Sequence, residues 1–151
     1  VNAVLTAAAR LPLPVAVIVV LNGCDDGSAA LAGQFGPDVH FVAIDARNVG
    51  AARAAGFSYA RTLCGQAVLD DSRIWYATTD ADSVVDPDWL LRQTDADTDM
   101  VLGVVRIATW REFPAAAARH YLAAYRSKSR PDGHGHVHGA NMGVAPTRIG
   151  G

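Results

Sequence analysis

The sequence predicts a layered α/β domain with a mostly parallel sheet and helices on both faces. Two observations carry that expectation. Short apolar runs alternate with helical stretches along the whole chain, with no internal repeat and no low-complexity linker. One of those runs, Val15-Ala16-Val17-Ile18-Val19-Val20-Leu21, is continuously apolar and rich in β-branched residues, as expected of a parallel strand covered on both faces. The length, 151 residues, suits one domain with a single substantial core.

Taken in order, residues 2–10 read as a short helix stopped by Pro12 and Pro14. The first strand spans 15–21 and ends in a polar, glycine-containing turn, Asn22-Gly23-Cys24-Asp25-Asp26-Gly27-Ser28. A helical stretch from Ser28 to about Gln34 and a second strand, 39–44, follow. Asn48 then opens a long alanine-rich helix over 49–69. A third strand, 74–78, runs into the acidic stretch Thr79-Asp80-Ala81-Asp82. Asp86-Pro87-Asp88 is a helix start, with Asp86 as cap, Pro87 at the first helical position and Asp88 at the positive end of the dipole. A fourth strand is expected over 100–107, a helix over 114–126, a polar loop with three histidines over 127–139, and a further strand from Asn141 to Val144. Right-handed crossovers would place the C-terminal strand ends on one edge of the sheet, where such folds bind ligands.

Composition excludes several classes. Half the residues are hydrophobic and 19% are charged, which fits a folded soluble domain. The net charge of -2 gives no general electrostatic case for nucleic acid or an anionic membrane. Two cysteines, Cys24 and Cys64, are too few for a disulfide framework or a zinc ribbon, and fit reduced thiols in the cytoplasm. The apolar run from Leu13 to Leu21 is far short of the ~20 residues a spanning helix needs, so no transmembrane segment is expected.

The chemistry concentrates at Asp80 and Asp82. On extended backbone, residues two apart share a side, so both carboxylates would face one way just past the third strand. Two such groups repel unless a cation lies between them. A hard divalent ion, Mg2+ or Mn2+, relieves the repulsion and keeps positions open for phosphate oxygens. A solvated acidic turn is the ordinary alternative for a lone Asp-x-Asp; the strand before it and the capped helix after it favour a site. An EF-hand loop is excluded by Val84 and Val85, which stand where Asp or Asn and glycine are needed. A phosphatase of the haloacid-dehalogenase type is a further alternative, with Asp80 as nucleophile and Lys128, the only lysine, as its partner.

Four segments in order resemble inverting glycosyltransferases of family 2, which have the GT-A fold. They are Thr79-Asp80-Ala81-Asp82 with Pro87-x-Trp89-Leu90, the helix start Asn48 to Gly56, the turn Asn22 to Ser28, and Gly139-Ala140-Asn141-Met142-Gly143. Each is weak alone. The resemblance covers nearly the whole chain and implies a Rossmann-like GT-A sheet. It also implies a nucleotide-sugar donor held through its diphosphate by Mg2+ or Mn2+, and a hydroxyl-bearing acceptor (a sugar, a lipid or a small molecule). On that basis Asp82 is the metal ligand, with Asp80 near the ribose or on the metal through water, and His138 a further group by the diphosphate or metal. Asn22 and Asp26 lie by the nucleotide, and Arg53 reaches base or phosphate, against the alternative of an ordinary surface arginine. Gly139 and Asn141 belong to the acceptor side, Asn141 either binding acceptor hydroxyls or satisfying buried backbone, and Trp110 is either core or a sugar-stacking ring. The resemblance places a strand ahead of the first helix and a general base after Gly-Ala-Asn, yet the chain opens on Val1 and no acidic residue follows Asp132. The expectation is therefore a partial domain, cytoplasmic or peripheral to a membrane, with its base unassigned and a catalytically silent nucleotide-sugar-binding remnant as the alternative.

Overall fold

The computed structural model describes residues 1–67, 69, 74–130 and 133–145. Helix α1 (Asn2–Ala8) leads to strand β1 (Val17–Asn22), a 3-10 turn at Ser28–Leu31, strand β2 (Val39–Ile44) and helix α2 (Val49–Gln66). Strand β3 (Tyr76–Thr78), helix α3 (Trp89–Thr94), strand β4 (Met100–Leu102) and helix α4 (Ala115–Arg126) follow. A two-residue hairpin, β5 (Ser129–Arg130) with β6 (Gly133–His134), precedes β7 (Met142–Val144).

The boundaries have local causes. Pro12 and Pro14 lack backbone N–H groups, and the stretch around them joins neither α1 nor β1; β1 begins at Val17, whose N–H donates to Asp38 O at 2.8 Å. Asn48 caps α2 as expected, its Oδ1 accepting from Ala51 N at 2.9 Å. Helix α3 starts later than Asp86-Pro87 suggested. Asp86 only accepts the N–H of Trp89, Asp88 occupies the cap position, and its carboxylate turns to Arg92 Nη2 at 2.7 Å instead of capping.

The sheet departs from the expected single, mostly parallel one. Strands β1 and β2 are parallel, in register from Val17 opposite Val39 to Asn22 opposite Ile44. In the second sheet β7 lies between β3 and β4 and runs antiparallel to both. The cause is the excursion from Gly103 to Asn141, which leaves and re-enters at one sheet edge. Its two ends are pinned together by Gly103 N donating to Asn141 O at 2.8 Å, so the returning strand has to run backward. Thr78, Met142 and Leu102 consequently stand at one level, and the start of β7 lies at the edge where β3 and β4 end.

Helix α2 packs against members of both sheets. At Gly56 a β-carbon would come within 3.1 Å of Val20 Cγ2, which is how closely the helix approaches β1. The next residue, Phe57, sets its ring edge-on to Tyr76 of β3 at 5.6 Å. A separate core joins α1 to α3, where buried Ala7, Trp89 and Leu90 are ringed by Leu11, Val15, Ala77 and Val85. Truncating a buried tryptophan of this kind costs about 3–5 kcal/mol, so this cluster is a main anchor of the N-terminal helix.

The middle strand leaves no room at its centre. A β-carbon on Gly143 would collide with Gln93 Oε1 and the Trp75 indole, which are themselves hydrogen-bonded at 2.9 Å. Gly143→Ala should therefore destabilise the fold by about 1–3 kcal/mol through overpacking. Urea denaturation followed by tryptophan fluorescence measures it, and an unchanged midpoint would mean that this contact is not tight.

Candidate active site

The site forms where the ends of β3 and α2 meet the start of β7. Strand β3 stops at Thr78, and the backbone turns at once: Ser83 N donates to Asp80 O at 3.1 Å. Asp80 and Asp82 therefore sit in a turn, and the alternation expected of extended backbone does not apply to them. A short polar segment between a strand end and the next helix favours a hydrogen-bonded turn. Arg53, one turn into α2, donates from Nη2 to Asp80 Oδ1 at 2.6 Å, with both side chains only partly exposed. Its guanidinium also lies flat against Gly139, where any β-carbon would overlap it. Thr78 Oγ1 donates to Gly139 O at 2.6 Å and fixes that segment to the end of β3. Asp80, Arg53 and Gly139, far apart in sequence, thus meet in one place. Asp82 is exposed and bonds to no described side chain, so its carboxylate is free to bind. Beside Asp80, the buried Thr79 hydroxyl has no hydrogen-bond partner among the described residues.

The remaining expected residues divide into scaffold and site. Asn22 Oδ1 accepts from Ala46 N at 3.1 Å and Arg47 N at 2.8 Å, while its Nδ2 donates to Asn48 O at 3.2 Å. It latches the loop before α2 onto the end of β1, and Arg47 takes a left-handed φ of 48° there. Asp26 accepts from Ser28 N at 3.0 Å, and the bonds with Ser28 hold its carboxyl below the ordinary carboxylate range. Asn141 is committed to the fold: Trp89 Nε1 donates to its Oδ1 at 2.9 Å, and its Nδ2 donates to Val104 O at 3.0 Å. Gly103 accommodates that side chain, since a β-carbon there would overlap it. Asp132, the last acidic residue, lies outside the described residues.

His138 does not join the aspartates. Among the described residues no three His, Cys, Asp or Glu side chains gather as a metal site. The His138 ring instead belongs to an aromatic stack. His136 lies on Tyr125 with ring centroids 3.8 Å apart, and His138 and His134 flank His136 at 5.5 Å each. Val105 N donates to the Tyr125 hydroxyl at 3.1 Å, and that hydroxyl contacts His138 Nε2 at 3.4 Å. Trp110 continues the series through Tyr121 at 5.4 Å and is a packing residue in this structure. Tyr125 was not apparent as a site-shaping residue from sequence; its spacing of four from Tyr121 was the available signal.

A cleft of about 720 Å3 adjoins Arg53 between α2 and the second sheet. Its lining includes Phe57, Arg61, Met100 and Met142, so it combines two guanidinium groups with apolar walls.

The model of glycosyl transferase family 2 matches residues 1–145. The chain belongs to this family. Its chemistry is thereby sugar transfer, and the match decides against the phosphatase alternative. Comparison with curated proteins and with solved structures gave no match. No helix among the described residues is long and apolar enough to cross a membrane.

Two predictions follow from this glycosyltransferase's geometry. Asn141→Ala removes both bonds and leaves the Trp89 indole N–H buried without an acceptor, at a cost of about 1–3 kcal/mol. A lowered thermal midpoint checks it; an unchanged midpoint with lost transfer would make Asn141 a substrate contact instead. His136 is buried, and its desolvation, reinforced by His134, His138 and Lys128, pushes its pKa below the ordinary 6.5 against an opposing hydrogen bond at Tyr125. Below that ordinary value the unfolded chain takes up a proton that the folded chain resists. Stability is thus complete above about pH 6.5 and declines as pH falls toward the lowered folded pKa. Denaturant midpoints measured across this range should fall on acidification in the wild type and stay flatter in His136→Phe.

Proposed function

We propose that the chain binds a nucleotide-diphosphate sugar at the Asp80–Asp82 turn. From there it transfers the sugar, with inversion, to a hydroxyl of a sugar, lipid or small-molecule acceptor in the cytoplasm. The observation that carries this reading is the meeting of Arg53, Asp80 and Gly139 beside the unpaired carboxylate of Asp82. The residues present fit a hard divalent ion, Mg2+ or Mn2+. Asp82 offers an unpaired carboxylate and Asp80 a second oxygen beyond the one Arg53 engages, which leaves several positions for phosphate oxygens and water. Bound there, the ion would neutralise negative charge on the leaving diphosphate. Arg53, held by Asp80, offers its other N–H groups to an anionic donor in fixed orientation. The adjoining cleft, with Arg61 and apolar walls, has room for the rest of the nucleotide. Gly139 and Asn141 border the same edge on the acceptor side, and Asn22 and Asp26 shape the loops by the nucleotide.

The test is titration calorimetry of the chain with UDP and GDP in the presence of Mn2+. Asp82→Ala should weaken nucleotide affinity at least about tenfold, the scale on which even outer-shell partners of a metal act, with the melting curve unchanged because the side chain is exposed. Equal affinity in wild type and variant would overturn the reading.

A further inference from the structure

The net charge of -2 conceals a strong partition. Residues 101–130 contain six basic side chains, Arg106, Arg111, Arg119, Arg126, Lys128 and Arg130, against the single acidic Glu112, a net of +5. The rest of the chain carries seven basic and fourteen acidic residues, a net of -7. All six basic side chains are exposed.

The part of this segment that carries Arg106, Arg111, Arg119 and Arg126 packs on itself. Trp110 rests on Tyr121, Phe113 meets Trp110 edge-on at 5.8 Å, and Val105 N is held by the Tyr125 hydroxyl. The 103–113 loop is thereby laid along α4. The helix turns Ala118, Tyr121 and Tyr125 toward the loop and the histidine stack. Arg119, Leu122 and Arg126, spaced by three and four, form the next strip round the helix. Ten of its twelve residues are exposed, so most of its surface is unpartnered among the described residues. Apolar groups stand between the charges: Phe113 is 55% exposed, and Ile107, Tyr121 and Leu122 are exposed as well.

We propose that α4 and the 103–113 loop form a docking surface for an anionic lipid bilayer. Arginines separated by exposed Phe, Ile and Leu, with a Trp and a Tyr at the margin, match what an interface of that kind takes up. The cations meet lipid phosphates, the apolar side chains enter the headgroup–acyl boundary, and the amphipathic rings sit at headgroup level. A free polyanion would engage the arginines but has no use for Phe113 and Ile107. The rest of the chain, net -7, carries the repulsive sign, which disfavours approach to the bilayer by other surfaces. The proposal is independent of the donor site.

The experiment is co-sedimentation of the chain with phosphatidylcholine vesicles, with and without phosphatidylserine, at low and high salt. Binding should require phosphatidylserine and fall with salt. Each arginine neutralised should lower the partition coefficient about fivefold, so Arg119→Gln with Arg126→Gln should lower it well over tenfold. Both side chains are exposed, and an unchanged melting curve confirms that the double variant is folded. Phe113→Ser should weaken binding at high salt, where the apolar part dominates. Absence of binding to phosphatidylserine vesicles overturns the proposal, as does full binding by the folded double variant. Tighter, Phe113-independent binding to RNA or heparin than to vesicles would also overturn it and assign the surface to a polyanion.

Discussion

The packing of α2 against two sheets at once is the constraint on which the site depends. Gly56 lets the helix backbone close on Val20, and Phe57 reaches Tyr76 in the other sheet. One turn earlier on the same helix, Arg53 is carried to the end of β3, where Asp80 waits. A β-carbon at position 56 would press on the Val20 methyl, and the helix or that side chain would have to give by a few tenths of an ångström. The ion pair is partly solvated, so its value lies less in stability than in holding a flexible arginine in one orientation. Packing thus fixes the place of a charge that the sequence presents only as one arginine among twelve.

The reversed strand is the second condition. Had β7 run parallel to β3 and β4, its N-terminal end would lie at the opposite edge of the sheet, with Gly139 far from Asp80. The antiparallel course brings Gly139 and Asn141 to the edge where β3 delivers the aspartates. Asn141 secures that course by bonding Trp89 of α3 and Val104 beyond β4, and Gly103 supplies the space. An asparagine that resembles a substrate contact in sequence is therefore, physically, the clasp between the excursion and the sheet. Its conformation still governs where the neighbouring Gly139 backbone stands.

The elements themselves were largely legible in the sequence, because hydrophobic run length and capping chemistry are local. β2 and α4 fall within a residue of expectation, and Asn48 caps α2 as its side chain allows. What escaped was non-local or depended on competition. The direction of β7 is set by where a 39-residue excursion returns, which no periodicity encodes. The start of α3 moved because Asp86 closes a turn on the Trp89 N–H, which leaves Asp88 at the cap position with its carboxylate on Arg92. The pairing of Asp80 and Asp82 was expected from extended geometry, yet a turn closes there. The aspartates stand at the expected strand end, and what changes is how they are presented.

Charge gives the same lesson in another form. A net value near zero argues against anionic partners only if the charges are mixed, and here they are segregated. Screening acts over about 8 Å at physiological salt, so a surface interacts with what lies a residue or two away and hardly with the far side of the domain. Four cations on one helix and its adjoining loop, with Lys128 and Arg130 just beyond the helix, therefore act as a cationic surface, whatever the other 121 residues carry. That region grows out of the excursion whose return places Gly139 at the edge that carries Asp80. The same loop that reverses β7 thus projects, at its far end, the arginines and exposed rings of α4.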